Sequence, residues 1–256
     1  MQINSPLEQF KIYPLLSIYV ADLDFSITNS ALILFVITSL SFLFFFSLKN
    51  GGGKNSFHII PQNNWQVFSE FLYTTIVSIM SENIKDRQGE KYLPLVFSIF
   101  VFIFSLNIAG LVPYGFTLTS HFIVTFYLSF SIFIGINIIG ILTHGSRMFC
   151  LFLPSGTSIF LAFLVVPIEL ISYLFKPVSL SIRLTANIMA GHVLLKIILA
   201  FTYSLIGSGG FFFFLHYIPL LVVFPLLSLE FAVALIQAYV YTLLICVYIN
   251  DCITLH

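Results

Sequence analysis

The chain has 256 residues, 59% of them hydrophobic and only 8% charged, with a formal net charge of +0. A soluble domain carries roughly 25% charged residues, so this composition identifies an integral membrane protein. Electrical neutrality and the lack of a basic run argue against nucleic acid or another soluble polyanion as partner.

Residues 1–25, with Glu8, Lys11, Asp22 and Asp24, are read as an N-terminal segment on the outside of the membrane. They lack the basic start and short apolar core of a secretory signal and the Arg-rich amphipathic pattern of a transit peptide, so import as a precursor is not expected. Residues 26–47 are apolar and long enough to cross a hydrocarbon layer of ~30 Å. Lys49–Lys54 then imitates a phosphate loop, but Leu48 replaces its first glycine and Asn55 stands where Ser or Thr is required. A flexible polar linker is the expected reading.

Residues 62–91 place Trp65, Phe68, Leu72, Ile76, Ile79 and Met80 at helical spacing, while Glu70, Glu82, Lys85, Asp86, Arg87 and Glu90 stay polar. An amphipathic helix on the membrane surface is expected, with packing on a neighbouring helix as the alternative. Two spans follow, 93–112 and 121–142, joined by Pro113-Tyr-Gly-Phe-Thr117 into a hairpin over 93–142. Asn107 and Asn137 lie inside it and are read as hydrogen-bond partners between helices.

Beyond Thr143–Arg147, two apolar stretches cover about 156–205 and 211–250, separated by Gly207-Ser-Gly-Gly210. As single helices each would extend ~60 Å or more, about twice the hydrocarbon thickness. Each either breaks, near Lys176-Pro177 and Pro225, or lies strongly tilted. Both alternatives give an odd number of crossings. Lys49, Lys54, Lys85, Arg87, Lys91 and Arg147 fall in loops on one side, and the 113–120 and 206–210 turns carry no lysine or arginine, which puts the N-terminus outside and the C-terminus inside. Cys150, Cys246 and Cys252 have no metal-ligand spacing and are read as ordinary thiols; no cofactor is expected.

The apolar stretches contain Glu169, Lys176, Arg183, His192, Lys196 and Glu230, with Asn187 and Gln237. A mid-membrane guanidinium costs at least ~3 kcal/mol, and it keeps its proton at every physiological pH, so Arg183 is a fixed positive element facing a partner, an ion path or a water-filled cavity. Glu169, Lys176 and Arg183 recur every seven residues and Asn187 follows four later, so one helical stripe can carry them; Glu230 and Gln237 make a second stripe. Ser179, Ser181, Ala186, Ala190 and Gly191 leave room beside Arg183 for a foreign helix. Along the axis Arg183 stands ~21 Å beyond Glu169 and His192 another ~13 Å toward the outside. Histidine titrates near neutral pH, and Glu169 and Glu230 join it where burial disfavours their charged form. The set points to ion transport, of protons by preference and sodium as the alternative, while Lys176 and Lys196 are read as snorkelling or structural charges.

Phe175-Lys-Pro-Val-Ser-Leu-Ser-Ile-Arg-Leu-Thr-Ala-Asn-Ile-Met-Ala-Gly-His192 closely resembles subunit a of the F-type ATP synthase. The resemblance extends to Asn107-Ile-Ala-Gly-Leu-Val-Pro-Tyr114, to Leu229-Glu-Phe231 and to Gln237-Ala-Tyr-Val-Tyr241, and so covers nearly the whole chain. Ser5-Pro-Leu-Glu-Gln-Phe10 is similar to the mature N-terminus of mitochondrial versions, with Met1 to Asn4 as a short leader. The resemblance implies an all-α membrane protein whose 156–250 region is a tilted hairpin of two long helices. It implies a stator, not catalytic alone, beside a ring of c subunits, with peripheral-stalk and other membrane-sector subunits, membrane lipids and a dimeric ATP synthase as surroundings. It implies Arg183 between two half-channels, His192 and Glu230 toward the intermembrane space, Glu169 toward the matrix, and Asn187 and Gln237 near the arginine. The implied site is the mitochondrial inner membrane, N-terminus to the intermembrane space. A quinone-binding respiratory subunit and a structural scaffold are the rival classes.

Overall fold

The computed structural model describes residues 10–20, 23–50, 64–84, 87–112, 115–145, 159–210 and 212–253. Met1 to Gln9, most of the linker after Lys49, Lys85, Asp86, Pro113, Tyr114, Arg147 and Cys150 lie outside them. Seven helices make up the bulk of the described chain: α1 (Asn29–Asn50), α2 (Asn64–Asn83), α3 (Leu93–Gly110), α4 (Phe122–His144), α5 (Ile159–Ser208), the single turn α6 (Phe212–Leu215) and α7 (Tyr217–Ile253). Among the described residues, four helical stretches are long and apolar enough to cross a membrane, ending at Gly110, His144, Ser208 and Ile253. The protein is therefore all-α in its membrane body.

A small addition to that body precedes α1. β1 (Pro14–Leu16) pairs antiparallel with β4 (Ile27–Thr28), and inside them β2 (Tyr19–Val20) pairs with β3 (Leu23–Asp24). Asn29 fastens this ribbon to the helix: its Oδ1 accepts from the Ser30 and Tyr13 amides at 2.9 and 3.3 Å, and its Nδ2 donates to the Lys11 carbonyl at 3.2 Å. The side chain thus satisfies an amide at the helix start that has no partner within the helix.

Both long stretches are continuous. α5 runs 50 residues through Pro167 and Pro177, and α7 runs 37 residues through Pro225. Breaks at Lys176-Pro177 and Pro225 are therefore absent. A helix of 50 residues is ~75 Å long and fits a ~30 Å layer only obliquely or by projecting from it. A proline inside a helix removes one ladder bond, and in lipid such a site relies on its neighbours. Separately, the Ser129 hydroxyl of α4 donates to the Pro177 carbonyl at 3.0 Å, a bond between helices that does not replace the lost ladder bond.

α7 is the hub, touching α2, α3, α4 and α5. Ile76 and Ile79 of α2, Val96 and Ile103 of α3, Ile136 of α4, Leu184 of α5 and Tyr241 and Ile245 of α7 share one buried cluster. Lipid is as apolar as these side chains, so their packing is held by dispersion and by hydrogen bonds between helices. Asn107 Nδ2 donates to the Ala234 carbonyl at 3.2 Å, Tyr173 donates to Asn137 Oδ1 at 2.6 Å, and the Thr125 and Thr185 hydroxyls meet at 2.6 Å. The other faces point outward, with Ile123 and Leu142 about four-fifths exposed.

The amphipathic stripe of 62–91 divides. α2 ends at Asn83, and a 3-10 turn over Arg87–Tyr92 leads into α3. Leu72, Ile76, Ile79 and Met80 are buried against the bundle, whereas Trp65 and Phe68, at the other end of the stripe, stay exposed.

The buried cluster predicts a contrast between two leucine-sized truncations. Ile245→Ala, at a site with 0% exposure, is expected to destabilise the assembled protein by about 1–3 kcal/mol. Leu142→Ala, at a site 80% exposed, is expected to leave the thermal midpoint of the purified complex unchanged. Equal midpoints for the two variants would contradict this placement of the core.

Candidate functional site

The polar residues of α5 and α7 sort into three environments. The first is the contact between the two helices. Asn187 Nδ2 donates to Gln237 Oε1 at 3.0 Å, joining the exposed stripe of α5 to a buried position on α7. One turn farther along α5, Gly191 faces Glu230. A methyl group on Gly191 would stand 2.6 Å from Glu230 Oε1, so the carboxyl rests on bare helix backbone. Glycine in mid-helix costs up to ~1 kcal/mol relative to alanine. Here it admits the Glu230 side chain, which alanine would obstruct.

His192 is half-buried beside this contact, with its imidazole against the backbone of Gly110 at the end of α3. Asn187, Gly191, His192, Glu230 and Leu111 border a cavity of about 320 Å³. Its other walls are apolar, including Leu194, Leu226 and Val233. Glu230 Oε1 and Gln237 Nε2 are buried and make no hydrogen bond among the described residues. Polar atoms in that state are normally met by internal water.

The second environment is the outward face of α5. Arg183 is exposed there, flanked by exposed Ser179, Ala186, Asn187 and Ala190. Among the described residues it forms no hydrogen bond and no salt bridge; its charge acts on the Tyr248 phenol from a distance. Glu169 is exposed on the same helix and likewise makes no ion pair among the described residues. The structure does not bring Glu169 into contact with His192, Glu230 or Gln237.

The third environment ties down the far end of α7. Lys176 Nζ donates to Asp251 Oδ2 at 3.1 Å and lies over the rings of Tyr248 and Tyr173, 4.7 and 5.1 Å from their centroids. Lys176 is thus a structural charge, stabilised by one carboxylate and two aromatic faces. His144 Nε2 is 2.8 Å from the Ile253 carbonyl and fixes the same end to α4. Asp251 was not among the sequence-derived candidates. It stands near the chain end rather than within an apolar stretch, and only the packing of α7 on α5 connects it with Lys176.

The described residues contain no group of three His, Cys, Asp or Glu side chains arranged to hold a metal ion. The arrangement offers instead a titratable pair at a cavity, a polar bridge across two helices, and a permanent cation on an open face. Such a set can pass protons and attract an anion; it contains no nucleotide-binding loop within the described residues.

The family described as ATP synthase A chain matches residues 30–250. "ATP synthase subunit a" of Pylaiella littoralis is 52% identical over 99% of this chain and 99% of its own length. "ATP synthase subunit a" of Marchantia polymorpha is 43% identical over 98% of this chain and 99% of its own. "ATP synthase subunit a-2" of Arabidopsis thaliana is 44% identical, over 100% of this chain and 73% of that protein.

The Gly191–Glu230 contact generates a coupling prediction. Gly191→Ala is expected to lower the stability of the assembled protein by about 1–3 kcal/mol through overpacking against the carboxyl. In a Glu230→Ala background the same change is expected to cost much less. A double-mutant cycle on thermal midpoints measures the difference, and strictly additive effects would show that the two positions do not press on each other.

Proposed function

The chain belongs to the ATP synthase A chain family, the proton-translocating membrane-sector subunits that are not catalytic alone, and on that premise we propose how its own residues move protons. It is a multi-pass membrane protein. Membership in this family sets aside the quinone-binding and scaffold readings. In the proposed mechanism the chain is a stator with two aqueous half-channels separated by Arg183, and it couples proton flow to rotation of a ring of c subunits.

The single observation that carries this reading is the exposure of Arg183 on a membrane-crossing helix without an ion pair among the described residues. A bare guanidinium in hydrocarbon is too costly to stand alone, so its counter-charge comes from outside the described residues. A carboxylate on a neighbouring helix meets that requirement, and the exposed small residues Ser179, Ala186 and Ala190 let that helix approach. At ~4 Å and an effective dielectric of ~20 the attraction is ~4 kcal/mol, enough to favour a deprotonated carboxylate strongly over a protonated one. Arginine cannot relay the proton it holds. It therefore separates the inlet from the outlet while helping each arriving carboxyl to release its proton.

His192 and Glu230 serve the inlet, supported by their shared cavity. Asn187 and Gln237 belong to the polar lining near Arg183, where their hydrogen bond joins α5 to α7. Glu169 serves the outlet, supported by its place ~21 Å from Arg183 along the helix axis in the opposite direction. The loop charges orient the inlet toward the intermembrane space and the outlet toward the matrix, with the N-terminus outside and the C-terminus inside. The setting is the mitochondrial inner membrane, and the partners are the c ring, the peripheral stalk, other membrane-sector subunits and lipids, within a dimeric ATP synthase.

Arg183→Gln in the purified complex, reconstituted in liposomes, is the direct test. The complex is expected to assemble and hydrolyse ATP, and ATP-driven proton pumping is expected to be lost. Normal coupled pumping by an assembled Arg183→Gln complex would overturn the mechanism. For the inlet, His192→Ala is expected to change the pH profile of proton uptake; a profile that superimposes on that of the wild type removes His192 from the path.

A further inference from the structure

α1 packs on the bundle through α3 and the 3-10 turn Leu118–Ser120, where Ile37, Leu106 and Leu118 form a small buried cluster apart from the main core. Beside that contact lies a cleft of about 380 Å³, walled by Leu34 of α1, by Phe102 and Leu106 of α3, and by one face of α4 from Ile123 to Ser131. Its floor reaches Leu184, a fully buried residue of α5 that adjoins Arg183 in the chain. The foregoing mechanism makes no use of this cleft.

The cleft is apolar within and open to the side. Its two deeper aliphatic hydroxyls are already engaged: Thr125 meets Thr185 at 2.6 Å, and Ser131 donates to the Leu128 carbonyl at 2.8 Å. Space with such walls does not hold water. On the rim, Ile123 and Tyr127 are 79% and 75% exposed on a membrane-crossing helix, so the medium at the mouth is hydrocarbon.

Depth selects the occupant. Gly89–Gly110 and Phe122–His144 have 22 and 23 residues, ~33–35 Å of helix, so the α3–α4 hairpin matches a ~30 Å layer and its turn lies at one surface. The cleft starts at that turn, at Leu118 and Thr119, and ends at Ser131, ~14 Å along α4. This is about half of the layer. A membrane-crossing helix of another subunit would need a groove along the whole of α4, whereas a lipid chain runs from the surface to the midplane and stops. At the surface end, where a phospholipid carries its polar ester linkage, the hydroxyls of Thr117 and Thr119 make no hydrogen bond among the described residues.

We propose that this cleft is a binding site for one acyl chain of a phospholipid, which enters between α1 and α4 at the level of the turn and ends beside Ser131. The chain bridges α1 and α4 by dispersion contacts and covers the buried face of α5 around Leu184. Nothing in this placement depends on the proton path.

The test uses the purified complex in phosphatidylcholine vesicles that contain a phosphatidylcholine with a diazirine midway along one acyl chain. After irradiation, peptide mass spectrometry is expected to find phospholipid adducts at Phe102 or Leu106, which line the cleft; Leu106 is only 4% exposed. Leu142, 80% exposed, reports the surrounding lipid and is expected to be labelled in every sample. Ser131→Phe, which fills the inner end of the cleft from an exposed position, is expected to reduce the cleft adducts ~5-fold or more and to leave those at Leu142 unchanged. The wild-type adducts decide the matter alone where that variant fails to assemble. Labelling at Leu142 without any at Phe102 or Leu106, or cleft labelling that an assembled Ser131→Phe complex retains in full, overturns the proposal. A benzophenone amino acid at position 102 that cross-links to another subunit instead of to lipid overturns it too, because protein then fills the cleft.

Discussion

Hydrocarbon offers neither hydrogen bonds nor counter-charges, and this constraint governs where each polar group of the chain can lie. Some are paired inside the chain: Lys176 with Asp251, Asn187 with Gln237, Tyr173 with Asn137. Others, including Glu230, Asn107 and the threonines of the α3–α4 turn, are buried with an open valence and call for water. Arg183 and Glu169 face outward, beyond the reach of any ion pair in the described chain. The same constraint therefore yields a packed bundle, an interior with open hydrogen-bond valences and an outer face whose charges lack ion-pair partners among the described residues.

Backbone geometry shows how tightly one of these polar groups is packed. Glu230 is accommodated because Gly191 has no side chain. Gly191 lies within a membrane helix, where alanine would be the better helix former. Its intrinsic cost admits the polar side chain of a neighbouring helix to its surface. Close helix approach, usually a device for packing, here makes a place for polar groups.

Much of this could be read from the residue pattern. The apolar runs located α3, α4, α5 and α7, and the seven-residue recurrence located the α5 stripe, because both depend on periodicity within one helix. Where α5 and α7 bend or break was not legible, since two prolines in one and a third in the other are compatible with either a stop or a continuous helix supported by neighbours. The division of the α2 stripe was hidden for a similar reason: Trp65 and Phe68 have the same periodicity as Ile76 and Ile79, and only the length of the facing bundle decides which are covered. Asp251 and the α3–α4 threonines gave no signal, as their significance lies in partners more than seventy residues away or in contacts across a turn.

The fate of Lys176 bears on why Arg183 is left bare on this part of α5, with no ion pair among the described residues. Lys176 lies two helical turns, ~10 Å, from Arg183 on the same stripe of α5. In the proposed mechanism a carboxylate travels past this face, and any unpaired cation within reach would hold it. A second free cation would create a second resting place and blur the boundary between inlet and outlet. Asp251 cancels the Lys176 charge at 3.1 Å, and the rings of Tyr173 and Tyr248 shield what is left. The clamp at the end of α7 therefore has an electrostatic consequence as well as a mechanical one: it leaves the field on this part of the outer face to a single guanidinium, as a stator with one separating charge requires.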